Sequence, residues 1–286
     1  MAESGKKKLI INADDFGLCA ETNRAVAELF SAGKITSTSL LAAAPFAEEA
    51  VALAKSTGFA VGAHLVLNSD FYEYPWKSLT GAKSLIDSGG NLSSDLKHIA
   101  KHARGRDVTK ECQAQIDFIL SRGAKLDHID NHCATMYGIN MRLFFINAYR
   151  LCRKYKQPFR FPKFNRFLTD YFPKKIPAPV KLAHKVVYGV GRLYRVKFVD
   201  DIVSNPYKIE DIPNYAALRD YYLSAIANLS YGTTDMFLHP SYHCPELARL
   251  TPEWKKREWE LELLQSGVLL DRAREEGVEL ISYSQI

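Results

Sequence analysis

The strongest constraint on the fold is an alternation, along the whole chain, of short apolar runs with segments of helical spacing. Lys8 to Ala13 is apolar and short enough to be a buried strand. Residues 21–32 then place Ala25, Val26, Leu29 and Phe30 at helical spacing, with Gly33 as a C-terminal stop. The pair recurs as strand 36–43 and a helix opened by Pro45 and Phe46 that runs to about residue 56. Strand 59–67 follows, then helices 95–104 and 108–121, strand 126–130, helix 140–155 and strand 159–161. Further on, 198–203, 235–238 and 278–282 read as strands, and 215–229 and 252–276 as helices. Thr251 is placed to cap the last of these, with Pro252 at its first position. Strands that alternate with helices build a parallel sheet covered on both faces. Seven or eight such units in 286 residues predict an α/β fold: a single-domain (β/α) barrel of about seven strands.

With 47% hydrophobic and 24% charged residues, the chain can bury a large core without staples. Its five cysteines form no C-x-x-C pair, which speaks against a disulfide framework or a zinc knuckle. The first eight residues are polar and basic, unlike a signal peptide, and no run of about 18 apolar residues appears. A cytoplasmic protein is expected. The net charge of +6 hides an asymmetry. Residues 142–197 hold fifteen Lys or Arg and one acid, Asp170, making that stretch +14 and the remainder −8. Its 163–197 portion breaks the strand–helix rhythm with Pro173, Pro177 and Pro179, then shows amphipathic spacing from 180 to 195. It is expected to be an insertion or lid.

In a parallel α/β barrel, chemistry gathers at the C-terminal ends of the strands. Here those ends carry Asn12-Ala13-Asp14-Asp15-Phe16-Gly17, Gly62-Ala63-His64, His128-Ile129-Asp130-Asn131-His132 and His239-Pro240. Adjacent Asp14 and Asp15 repel unless a cation lies near or one is protonated; they could also serve as helix caps. His64 alone could be a hydrogen-bonded core histidine. The H-x-D-x-H run is denser in ligand atoms, with a spare carboxylate to orient an imidazole. One Asp and two His leave coordination positions open, lower the pKa of bound water and polarise a carbonyl. A second Asp can take the water's proton, and a His can protonate a leaving amine. No nucleophile elbow, P-loop or dinucleotide fingerprint is present.

In order and spacing these motifs, together with the closing Gly277-Val278-Glu279-Leu280-Ile281-Ser282-Tyr283, resemble the YdjC-like carbohydrate deacetylases. The resemblance covers most of the chain outside the basic stretch. It implies a distorted barrel, one divalent metal (Mg2+, with Zn2+ as the alternative) and removal of acetyl groups from N-acetylated sugars. It implies that Asp15, His64 and His132 hold the metal, with His128 and Asp130 behind them. By analogy with polysaccharide deacetylases, Asp14 would be the base and His239 the acid. Arg160 matches a strand-end arginine that could contact substrate. The sequence departs from the family after His132, where Cys133-Ala134-Thr135-Met136-Tyr137-Gly138 replaces a run of further histidines.

Two other function classes share the same residues. Two histidines and a carboxylate also make an Fe(II) oxygenase triad, which would accompany an antiparallel β core. A non-catalytic sugar- or lipid-binding module would leave the site degenerate. For the basic stretch, the readings are a solvated lid or oligomer contact, and an anionic or membrane-surface contact suited to a glycolipid substrate. No nucleic-acid partner is expected, because no binding motif accompanies the charge.

Overall fold

The computed structural model describes residues 5–70, 74–137, 142–169, 172 and 174–286. The first half alternates β1 (Lys7–Phe16), α1 (Ala20–Ser31), β2 (Ser37–Leu40), α2 (Ala47–Thr57) and β3 (Ala60–Leu65). A long rim segment leads to α3 (Leu96–His102) and α4 (Gly105–Ser121), then β4 (Lys125–Asn131), α5 (Phe145–Tyr155) and β5 (Phe159–Pro162). The start of the predicted helix at residue 140 lies outside the described residues. The basic stretch supplies a 3-10 turn and α6 (Ala178–Leu193) between β5 and the successive short strands β6 (Phe198–Val199) and β7 (Asp201–Val203). The chain ends with α7 (Tyr215–Ala227), β8 (Gly232–Leu238), α8 (Pro245–Leu250), α9 (Trp254–Ser266), α10 (Val268–Glu275) and β9 (Glu279–Leu280).

Every pairing between these strands is parallel, in the order β6-β5-β4-β3-β2-β1-β8-β7. The two ends of that order meet in one extended segment, because only Asp200 separates β6 from β7. The Lys163 amide donates to the Val199 carbonyl at 3.0 Å on one side, and the Asp200 amide donates to the Thr233 carbonyl at 2.8 Å on the other. Residues 198–203 thus join β5 to β8 and close a ring of seven strands. β9 pairs only with Lys8 and Leu9 of β1, below this ring.

Two sequence expectations change. The helix read across 252–276 is two helices, since Gly267 at φ 79° breaks the helical backbone between α9 and α10. Thr251 does not cap it. It ends α8, three residues before Trp254 starts α9, and its hydroxyl accepts from the Glu253 amide at 3.1 Å. The expected last strand is also shorter, because residues after Ile281 turn inward. Tyr283 is buried there, stacked on the His128 ring at 3.8 Å, with its hydroxyl donating to Asp235 at 2.5 Å. Among the described residues no helix is long and apolar enough to cross a membrane.

Candidate metal centre and active site

The site is built on strand register. Period-two geometry turns His128, Asp130 and His132 to the same side of β4. His64 is the direct register partner of Asp130, and Gly62 that of His128. A Cβ at Gly62 would come within 2.1 Å of the His128 ring, so glycine there makes room for an interior imidazole. A regular β1 would send Asp14 and Asp15 to opposite faces. Instead the β1–β2 register breaks between Ala13 and Phe16, and Asp15 sits at φ 68°, a conformation a short polar residue tolerates. Both carboxylates reach the rim.

Three ligand atoms converge there. Asp15 Oδ1 lies 3.2 Å from His132 Nδ1 and 3.5 Å from His64 Nε2, and the two ring nitrogens are 3.3 Å apart. That triangle leaves a point about 2 Å from all three atoms, the length of Zn–N and Zn–O bonds. Asp15 Oδ1 is buried and has no hydrogen-bond partner among the described residues, although a buried acceptor is normally satisfied. The far nitrogen of each imidazole is held. His64 Nδ1 lies 2.9 Å from Asp130 Oδ1, and His132 Nε2 is hydrogen-bonded to Asp70. Carboxylates in those places fix ring orientation and tautomer. The residues present therefore fit a divalent cation.

Behind Asp15, Arg257 of α9 donates to Oδ2 at 2.6 Å. Burial alone would raise the Asp15 carboxyl, but Arg257 and His132 hold it well below the usual range. Asp14 has its own cradle. Arg160 donates from both terminal nitrogens at 2.8 Å, Asn12 at 2.6 Å and Ser39 at 3.1 Å. Burial opposes ionisation here too, and the Arg160 guanidinium overrides it. Asp14 is thus a carboxylate at neutral pH, and its position is fixed.

Arg160 does not sit as a substrate contact would. It is 4% exposed and lies 3.0 Å from Asp130 Oδ2 and 2.6 Å from Asp235 Oδ2, besides its bidentate pair with Asp14. Its whole fork is committed to three carboxylates, which makes it a positioning group. His239 follows β8 at the rim, 30% exposed, with Nε2 4.0 Å from Asp14 Oδ2. Its amide donates to buried Glu260 at 2.7 Å. Burial lowers its pKa, and Asp15 and Asp14 offset this in part. A cavity of about 230 Å³ opens beside it, lined by Phe167, Ile202, Asn205 and Phe237 among others. His128 lies deeper, away from the ligand triangle, with Nδ1 2.7 Å from Asp127.

Residues of the matching family profile, described as YdjC-like protein, span 8–275. The chain belongs to the YdjC-like protein family. Curated relatives include the carbohydrate deacetylase of Thermoanaerobacter pseudethanolicus, 28% identical over 97% of this chain and 98% of its own length. That of Geobacillus stearothermophilus is also 28% identical, over 96% of both chains. Among solved structures, an Enterococcus faecalis protein named for cellobiose-phosphate cleavage superposes with a TM-score of 0.77. It is 23% identical over 98% of each chain, a likeness of fold.

Asp70, Arg257, Glu260 and Asp235 were not read from the sequence as site residues. Asp70 comes from the rim segment after β3, whose spacing matches neither strand nor helix. Arg257 is 242 positions from Asp15. Asp235 had a usable signal, since it lies four residues before His239 on a strand and so on the same face.

Proposed function

We propose that this protein is a divalent-metal-dependent hydrolase that removes the acetyl group from an N-acetylated sugar. The observation that carries this reading is the orphaned Asp15 Oδ1, buried against two imidazoles whose outer nitrogens are each held by a carboxylate. The relatives named carbohydrate deacetylase supply the reaction class.

Asp15, His64 and His132 would hold the cation, and a cation there would supply Lewis acidity toward the acetamide carbonyl and acidify water. The resemblance implies magnesium. Two imidazole nitrogens and one carboxylate are a donor set better suited to zinc, since magnesium is usually held by carboxylates and water. Asp14, fixed and ionised by Arg160, takes the proton of the attacking water. Oxygen then bonds to the acetyl carbon and the C–N bond breaks. His239 delivers a proton to the departing amine, and its 4.0 Å separation from Asp14 gives that proton a short path. Acetate and the free amino sugar are the products. The oxygenase alternative expected an antiparallel core, whereas all the named strands pair in parallel.

The test is acetate release from a panel of N-acetyl sugars with untreated, chelated and Zn2+- or Mg2+-restored protein, alongside metal analysis. Activity should vanish on chelation and return with one ion. In metal-replete Asp14→Asn, kcat should fall by about 10²–10⁴ with bound metal retained. No acetate from any sugar with metal-restored protein would sink the proposal.

A further inference from the structure

None of the residues assigned to the chemistry belongs to α6, yet that helix is the most unusual surface of the molecule. Its inner side is anchored. Tyr149 donates to the Val187 carbonyl at 3.0 Å, and His184 Nε2 lies 2.9 Å from the Pro162 carbonyl oxygen. Its outer side exposes Leu182 at 63%, Val186 at 52% and Leu193 at 81%. These residues follow one another at i, i+4 and i+11, so they form a single apolar ridge along one face. Large exposed side chains in such a row mark a contact surface.

Lys181, Lys185 and Arg192 lie together along one side of the ridge. Among the described residues, no carboxylate lies within ion-pair distance of any of the three. Behind the helix lies a cavity of about 670 Å³ into which Lys163, Arg166, Lys181 and Lys185 project. Lys163 and Arg166 are partly neutralised by Asp200 and Asp201, at 3.7 and 2.5 Å. Two free cations therefore face a cavity large enough for a polar headgroup.

We propose that α6 docks this protein on an anionic lipid surface, with the apolar ridge entering the interfacial layer and the basic cavity receiving an acidic headgroup. A helix with an apolar ridge bordered by cations lies in the plane of such an interface. Charge complementarity selects this occupant over a second copy of the chain. A symmetric dimer through α6 would press a +14 stretch against itself. The proposal is independent of the deacetylase reading and goes beyond it.

The experiment is co-sedimentation of the full chain with vesicles of phosphatidylcholine alone, or with about a third phosphatidylglycerol added. Binding should need phosphatidylglycerol and weaken as salt rises. Replacing Lys181 and Lys185 with Ala should weaken it about fivefold per cation, and Leu182→Asp with Leu193→Asp should abolish it. All variants should keep the wild-type melting temperature and acetate release from a soluble sugar, since these side chains are exposed. No binding to the acidic vesicles would overturn the proposal. So would binding that the variants leave intact, or sedimentation equilibrium showing a dimer that Leu182→Asp dissociates while vesicles go unbound.

Discussion

Replacing Arg160 with Met separates a positioning role from a substrate contact. The substitution keeps an unbranched chain but removes the only cation placed against Asp14, Asp130 and Asp235 together. Taking one partner from a buried ion pair costs about 3–5 kcal/mol, because the charge left behind stays desolvated. For 286 residues at ~2.1 cal/mol/K of unfolding entropy per residue, the melting temperature should fall by about 5–8 °C at neutral pH. The pH dependence should also change sign in part. In the wild type the Asp14 carboxyl is depressed, so its contribution is present above the ordinary carboxylate range and lost as pH falls through its folded pKa. Without Arg160, burial dominates and raises that pKa, so mild acid should recover some of the lost stability. Asp14 would then be protonated at neutral pH and kcat should collapse, with the acid limb of the rate profile moved to higher pH. Calorimetry across the acid-to-neutral range and steady-state kinetics on one sugar are the assays. A variant with wild-type melting temperature and kcat but a raised KM would refute this and make Arg160 a substrate contact.

Asp70→Ala removes the carboxylate behind His132 and should weaken metal binding about 10–100-fold, read by titration with a chelator-buffered metal. His128 carries a pKa raised to about 9, because Asp127 and Asp130 override the lowering by burial. Its stabilisation is complete below about pH 6.5 and is lost as pH rises through 9, worth about 3 kcal/mol at ~1.4 kcal/mol per pKa unit. Melting temperatures should fall across that window, and His128→Asn should flatten the fall. Gly62→Ala forces a methyl against the His128 ring and should cost about 1–3 kcal/mol by overpacking, seen as a shift in denaturant midpoint without a change in slope.

The alternation of strands and helices was legible from sequence because period and length are local properties. Asp15, His64 and His132 stood out as candidate ligands because strand ends carry chemistry in a parallel barrel and because their motifs resemble a known family. Break points were less legible. Gly267 splits one helical pattern and the turn at Thr251 delays its start to Trp254, and periodicity alone does not report a left-handed backbone residue.

Tertiary structure decided what surrounds each ligand. His64 meets Asp130 because β3 and β4 pair in one register, and no spacing within either strand contains that fact. Asp70 reaches His132 from an irregular rim segment, and Arg257 reaches Asp15 from a helix 242 residues away. The surroundings of Arg160 are long-range for the same reason: a strand-end arginine reads as a ligand contact, and three carboxylates from three other strands lie around it. The sequence by itself determined the alternating elements and the residue types offered at the strand ends. Long-range packing determined which charges are compensated, because electrostatic environment depends on neighbours in space and not along the chain.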